Sequence, residues 1–427
     1  MSRYDAVVIG AGLAGLTAAG RLAQANKKVL LVATGAGALL LASGCIDVLG
    51  YHPADAVEPV ENPLARLADF LAERPGHPYN VTGKPAIEAG LHAFLELTNH
   101  GSLDYRGEPD RNWRLPGPAG AVRPTCLAPA SLANGELSQG GRMLIAGFNE
   151  LRDFYPALIS QNLNEQNLGV QATSLMIEAP PLEIADMNAT PIELARAFER
   201  ADFRRQVVKA VKAASKGTSR IGFPAVLGLK AHAEVLADLE KQLGQTVFEI
   251  SMLPPSAPGR RLFEQLRDVF LRAGGRLILG SKVVDGTITA GRVTQIRFET
   301  TNRLKSVTAN HYILASGGIY GGGIVTGADG GIGRAWEPIF GLPVAAESNR
   351  HHWFANGFID PAGQPFASFG VQVNQRLNPV DGSGNPIAEN LFVIGASLAG
   401  YDWARGRTGE GVALASAMAA VDQINRS

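Results

Sequence analysis

The chain has 427 residues, 46% of them apolar, and its 39 basic and 39 acidic side chains cancel to a formal net charge of +0. That length suits two or three domains with a sizeable core, and balanced charge without a basic block argues against a nucleic-acid partner. Two cysteines, Cys45 and Cys126, provide neither a disulfide framework nor the four thiolates an iron–sulfur cluster needs.

The opening elements carry the strongest signal. Asp5–Gly10 reads as a short buried strand, Leu16–Ala25 as a helix and Lys28–Ala33 as a second apolar strand. Between strand and helix stands Gly10-Ala-Gly12-Leu-Ala-Gly15. This is a Gly-x-Gly-x-x-Gly at the first turn of a βαβ unit, where a pyrophosphate rests on a helix N-terminus. Gly10 allows the sharp turn, Gly12 lets backbone approach phosphate, and Gly15 lets helix pack on strand. Gly10, Gly12, Leu13, Ala14 and Gly15 are therefore the expected cradle, and their N–H groups favour an anion. The second strand ends at Ala33-Thr34. The place where such folds usually carry an acidic ribose ligand falls at Ala33 or Thr34, and neither has a carboxylate, so the pyrophosphate signal is intact and the adenosine signal is in doubt.

Val29–Ile46 carries no charge over 18 residues, yet Gly35, Gly37 and Gly44 interrupt it. A strand followed by a loop explains it better than a membrane span, and no transmembrane helix is expected. Residues 51–139 are rich in proline and polar turns, with one helix over Pro85–Thr98. Strands follow at Arg142–Phe148 and Val170–Ile177, with helices over Asn149–Asn162 and Ala195–Ser215. A strand–helix–strand set then covers Arg220–Val226, Ala231–Leu243 and Thr246–Met252. This middle third predicts an inserted α/β module with its own core.

Pro254–Leu262 is a Pro/Gly boundary, followed by a helix over Leu262–Ala273. From Arg276–Val283 a run of short strands predicts a β-meander, which ends in Tyr312–Gly318, an apolar strand stopping on glycines. Asn390–Gly395 is another buried strand, and Gly409-Glu410-Gly411 leads into a helix over Val412–Ile424.

These blocks, together with Ala42-Ser43-Gly44-Cys-Ile-Asp47-Val-Leu49, Pro254-Pro-Ser through Gly259-x-Arg261-Leu262, Leu314–Gly317 through Gly322-Gly323, and Phe369-Gly370-Val371, resemble a family. It is that of the B subunit of anaerobic glycerol-3-phosphate dehydrogenase, among the fumarate-reductase-like flavoproteins. The resemblance implies an α/β fold: a Rossmann-like, glutathione-reductase-like flavin-binding domain with a β-meander and an inserted α/β module. The expected domain boundaries are 1–50, 254–345 and 385–427 for flavin binding, with 51–253 and 346–384 forming an inserted or cap region. The family implies FMN, whereas the glycine fingerprint, which calls for a pyrophosphate, favours FAD. It further implies oxidation of glycerol 3-phosphate to dihydroxyacetone phosphate, electrons passed to quinone, and two partners, one the catalytic A subunit, the other the iron–sulfur C subunit. The expected location is cytoplasmic, with the inner membrane reached only through a partner subunit.

Flavin chemistry asks for a neutralised phosphate, a covered ring and stabilised charge on the pyrimidine edge. Ser43 and Gly44 are placed to cover the ring, and Ser316, Gly317 and Gly395 end the later strands on small residues. The helix opening at Gly409, Glu410, Gly411 and Val412 is the candidate for the pyrimidine edge, although Glu410 reads better as a first-turn charge facing water. Alcohol oxidation needs a base, for which His is natural near neutral pH. Arg350-His351-His352 joins a phosphate-binding residue to two candidate bases; the plain alternative is a solvated loop. Arg261 and Arg407 are alternative phosphate ligands. Two other functions stay open, a non-catalytic flavoprotein relay or scaffold and a soluble flavin reductase or dehydrogenase for a hydroxy or keto acid.

Overall fold

The computed structural model describes residues 4–99, 101, 103–180, 188–329, 332–358, 360 and 362–427. The chain divides into two compact units, one from residues up to 38, 47–97 and 265–427, the other from 39–46 and 98–264.

The first unit is built on a five-stranded sheet in which every pairing is parallel. Its order is Arg276–Leu279, Val29–Ala33, Tyr4–Ile9, Ala309–Leu314, Leu391–Val393. Ala6, Val7, Val8, Leu31, Val32, Ile313 and Leu314 are fully or almost fully buried, as expected of strands covered on both faces. The chain leaves Tyr4–Ile9 toward Val29–Ala33 on one side and returns to pair Ala309–Leu314 on the other. That reversal is the topological switch point, where open α/β sheets bind ligands beyond the strand carboxyl ends. The helices Leu13–Gln24 and Gly409–Arg426 pack together beside this sheet. A three-stranded antiparallel meander, Val283–Thr289, Arg292–Glu299 and Leu304–Val307, completes the later part. The expected meander began at Arg276, but Arg276–Leu279 instead forms the outer parallel strand beside Val29–Ala33.

Residues 51–97 and 346–384 group with this first unit, where the sequence reading set them in a cap. The physical reason is helix packing. A Cβ on Gly90, in the helical stretch Tyr79–Thr98 that is broken at Gly83 (φ +75), would come within 2.7 Å of the Leu414 backbone carbon. Only a glycine lets those two helices approach so closely. A second helix, Pro63–Ala72, is capped by the Asn62 side chain accepting from the Ala65 amide at 2.9 Å.

The second unit contains the expected α/β module. Its four strands, Thr246–Ile250, Arg220–Pro224, Gly141–Phe148 and Val170–Ile177, are parallel in that order. Phe148, Phe198, Phe203 and Phe223 interlock in its core through edge and stacked contacts of 5.1–6.5 Å. Two sequence expectations shift here. The helix placed at Asn149 starts at Pro156, because proline takes N1 and the residue before it disfavours the helical region. The single helix over Ala195–Ser215 is two, Pro191–Phe198 and Ala201–Val211. Thr190 and Glu193 form a capping box for the first, and the Glu199 carboxylate turns away to accept the Leu229, Lys230 and Ala231 amides.

Candidate flavin site

The site is assembled in the first unit, at the carboxyl ends of the sheet. Gly10 follows its strand at φ +109, and a Cβ there would overlap the Ala315 carbonyl. Gly15 is as tightly held, since its Cβ would overlap the Gly10 carbonyl. Gly12 differs: a Cβ added to it meets nothing within 4 Å. It is also the N-cap of Leu13–Gln24, with extended backbone and no side-chain cap. Two glycines thus close the turn and the middle one leaves open space before a helix N-terminus, the shape an anionic phosphate requires. The residues present fit a dinucleotide flavin. Thr34 stands exposed just past Val29–Ala33.

The later strand ends converge on this turn. Gly317, at φ +89, donates its amide to Ser397 Oγ at 3.1 Å, and that hydroxyl reaches back to the Gly317 carbonyl at 3.2 Å. Ser316 precedes it, half-buried. Gly395, at φ +64, donates to Ser416 Oγ at 2.9 Å, and its Cβ would lie 2.9 Å from Ala14 Cβ. The sequence reading missed Ser397 and Ser416; a small hydroxyl inside a helix or after a strand carries no spacing signal. Ser416 stands seven residues beyond Gly409 on the last helix, so at ~1.5 Å per residue the start of that helix lies ~10 Å along its axis from Ser416.

That helix start is itself enclosed. Gly411 donates its amide to the Asp47 carbonyl at 2.9 Å, and a Cβ on it would overlap the Tyr79 hydroxyl. Tyr79 in turn donates to the Val48 carbonyl at 3.0 Å. Val412 is fully buried, while Gly409 and Glu410 are half-buried. Of the expected pyrimidine-edge amides, that of Gly411 is therefore spent inside the protein. His77, also missed from sequence, packs here. Its Nδ1 accepts the Tyr79 amide at 3.2 Å, which leaves Nε2 to face Thr408 Oγ1 at 3.4 Å. Burial and, second, the Arg74 charge lower His77 to about 3. Arg407 lies 3.8 Å from the Asp47 carboxylate and over the Tyr51 ring.

Arg350, His351 and His352 form a short exposed 3-10 turn, with Asn349 Oδ1 accepting the His351 amide at 3.0 Å. The turn is anchored by buried Trp353, which donates to the Glu347 carbonyl at 2.6 Å and meets Phe369 edge-on at 5.4 Å. Gly370 next to it presses on the Leu398 backbone, three residues past Gly395.

Ser43 and Gly44 belong to the second unit. Ser43 Oγ accepts the Cys45 amide at 3.2 Å, and the Tyr105 hydroxyl donates to the Gly44 carbonyl at 2.6 Å. Arg261 is not available as a phosphate ligand. Its guanidinium grips the fully buried Glu249 carboxylate with two bonds, 2.7 and 2.9 Å, and donates to the Gly228 carbonyl at 2.8 Å. Burial would raise Glu249, but the Arg261 charge and hydrogen bonds prevail and bring it to about 2. The Ser131 hydroxyl and the Leu227 amide fill the remaining positions on that carboxylate. A sequence shows an arginine; it does not show the buried carboxylate that claims it.

Residues 5–412 match the family model described as an FAD binding domain. The B subunit of the anaerobic glycerol-3-phosphate dehydrogenase of Pectobacterium atrosepticum is 33% identical over 430 residues, covering 99% of this chain and 98% of that protein. The probable B subunit of the Halobacterium salinarum enzyme is 33% identical over 437 residues, with 97% and 96% covered. The Vibrio cholerae B subunit is 31% identical over 435 residues, with 99% and 97% covered. Among the described residues no helix is long and apolar enough to cross a membrane.

Proposed function

The chain belongs to the FAD binding domain family and, within it, to the family of the anaerobic glycerol-3-phosphate dehydrogenase B subunit, and from that premise we propose that it oxidises glycerol 3-phosphate to dihydroxyacetone phosphate and passes the electrons toward quinone. It does so as one component of a larger enzyme whose other members are the catalytic A subunit, joined by the iron–sulfur C subunit, the latter providing any attachment to a membrane. We read the first unit as glutathione-reductase-like. The observation that carries the reading is the open space before Gly12, between two glycines closed by backbone, at the sheet's switch point.

Bound flavin supplies the two-electron acceptor. This chain's residues do the rest. The amides of Gly12, Leu13 and Ala14 would hold the pyrophosphate against the positive end of Leu13–Gln24. Arg350 would hold the substrate phosphate with its planar fork, while His351 or His352 would take the hydroxyl proton. Support for these three is their joint exposure on one anchored turn of the same unit.

The test is to extract and weigh the bound flavin, then to add glycerol 3-phosphate anaerobically with and without the partner proteins. Loss of the flavin colour with dihydroxyacetone phosphate formed by this chain alone supports the reading. Loss of colour only when a partner is present makes the chain a relay.

A further inference from the structure

The second unit holds a cavity of about 400 Å³ that plays no part in the flavin reading. It opens at the amino ends of three parallel strands, where Gly141, Arg220 and Thr246 are the first residues. Its volume lies within the ~300–1,000 Å³ of small-molecule sites.

Arg220 decides its chemistry. The residue is only 4% exposed, and a buried cation normally has a carboxylate partner. Among the described residues none forms an ion pair with it. Its guanidinium instead donates to the backbone carbonyls of Glu136 and Gly140, both at 2.6 Å, and more distantly to Asn134 at 3.5 Å. Those bonds use three of the five N–H groups a guanidinium carries. The nearby Glu136 carboxylate is committed elsewhere, to the Arg114 and Ser138 amides. Burial lowers the pKa of Arg220, with Glu136 opposing, so the environment disfavours the charge and gains from an added anion.

The rim adds two features. Arg106 donates from Nη1 to Asn134 Oδ1 at 3.2 Å and from Nε and Nη2 to the exposed Asp104 carboxylate at 3.1 and 2.8 Å, which leaves one N–H on each terminal nitrogen for a ligand. Trp113 lines the same cavity with an indole. We propose that this cavity binds a small organic anion with a flat ring, its phosphate or carboxylate meeting Arg220 and Arg106 and its ring meeting Trp113. Guanidinium pairs recognise oxyanions in two-bond geometry, and an indole gives a ring an apolar face while excluding water. This binding does not rest on the flavin reading.

The experiment titrates the flavin-loaded protein with adenosine monophosphate, chosen because it combines a phosphate with a flat ring, while tryptophan emission is followed. Inorganic phosphate is the second probe. A saturable change is expected with adenosine monophosphate, absent in Trp113→Phe and shifted at least about tenfold to higher concentration in Arg106→Ala, the equivalent of ~1.4 kcal/mol. Both substitutions lie at half-buried or exposed positions, and an unchanged melting temperature verifies the fold. No saturable change up to about 1 mM, the weak end of specific affinity, would overturn the proposal. Retention of the full response in Trp113→Phe, or phosphate binding as tightly as the nucleotide, would overturn it equally.

Discussion

A side-chain carbon on Gly10 would overlap the carbonyl oxygen of Ala315. The two residues end the neighbouring strands Tyr4–Ile9 and Ala309–Leu314, so the first glycine of the turn is where the sheet's switch point is closed. Gly12, two residues on, faces free space.

The two glycines should therefore fail in different ways. Gly10→Ala strains a backbone at φ +109 and forces the strands apart, with an expected loss of ~1–3 kcal/mol. Gly12 has φ −74, which alanine tolerates. Gly12→Ala should leave the flavin-free protein within ~0.5 kcal/mol of its stability while its flavin content falls at least tenfold. Denaturant unfolding beside flavin stoichiometry separates the two; equal flavin retention in both variants counts against the cradle.

Arg261 tests whether a conspicuous arginine is structural. Removing its guanidinium strands a fully buried Glu249 carboxylate, at an expected cost of ~3–5 kcal/mol. Arg261→Ala should lower the melting temperature, while KM for glycerol 3-phosphate in the folded fraction stays unchanged. A raised KM with unchanged melting would return Arg261 to the substrate site.

Acid should weaken the fold through two buried histidines. Burial and then Arg74 lower His77 to about 3; burial and then Arg261 lower His232 to about 4. In the unfolded chain both titrate near ~6.5. Below that pH the unfolded state binds protons that the folded state refuses. Their stabilising contribution is thus complete above ~6.5 and is lost as pH falls toward the folded values, by up to ~1.4 kcal/mol per histidine per pH unit. Urea unfolding at neutral pH and at about pH 5.5 reads this slope. His77→Gln should flatten it, and an unaltered slope in that variant would remove His77 from the account.

The turn at Arg350–His352 is exposed, so alanine there should shift stability by less than ~0.5 kcal/mol. Loss of the acting base should slow flavin reduction by ~10²–10⁴-fold, and Arg350→Ala should mainly raise KM. Stopped-flow reduction of each variant checks this, and three unchanged rates would take the turn out of the site.

Much of this was legible in the sequence where the signal is local. The opening βαβ unit, the strands Val170–Ile177 and Arg220–Pro224, and the helix at Gly409 follow from apolar runs and glycine positions. What was not legible depends on distant partners. Arg276–Leu279 reads like any short strand until it pairs with Val29–Ala33. Residues 51–97 join the first unit, where Gly90 packs closely on the Leu414 backbone. The roles of Ser397, Ser416 and His77 arise from hydrogen bonds across tens to hundreds of residues.

The most direct test is anaerobic addition of glycerol 3-phosphate to the flavin-loaded protein, followed at the flavin's visible absorption band. The account predicts that the band bleaches and that dihydroxyacetone phosphate appears in equal amount to the flavin reduced. A band that persists under saturating substrate with this chain alone, even one that bleaches once the partner proteins are added, would contradict it.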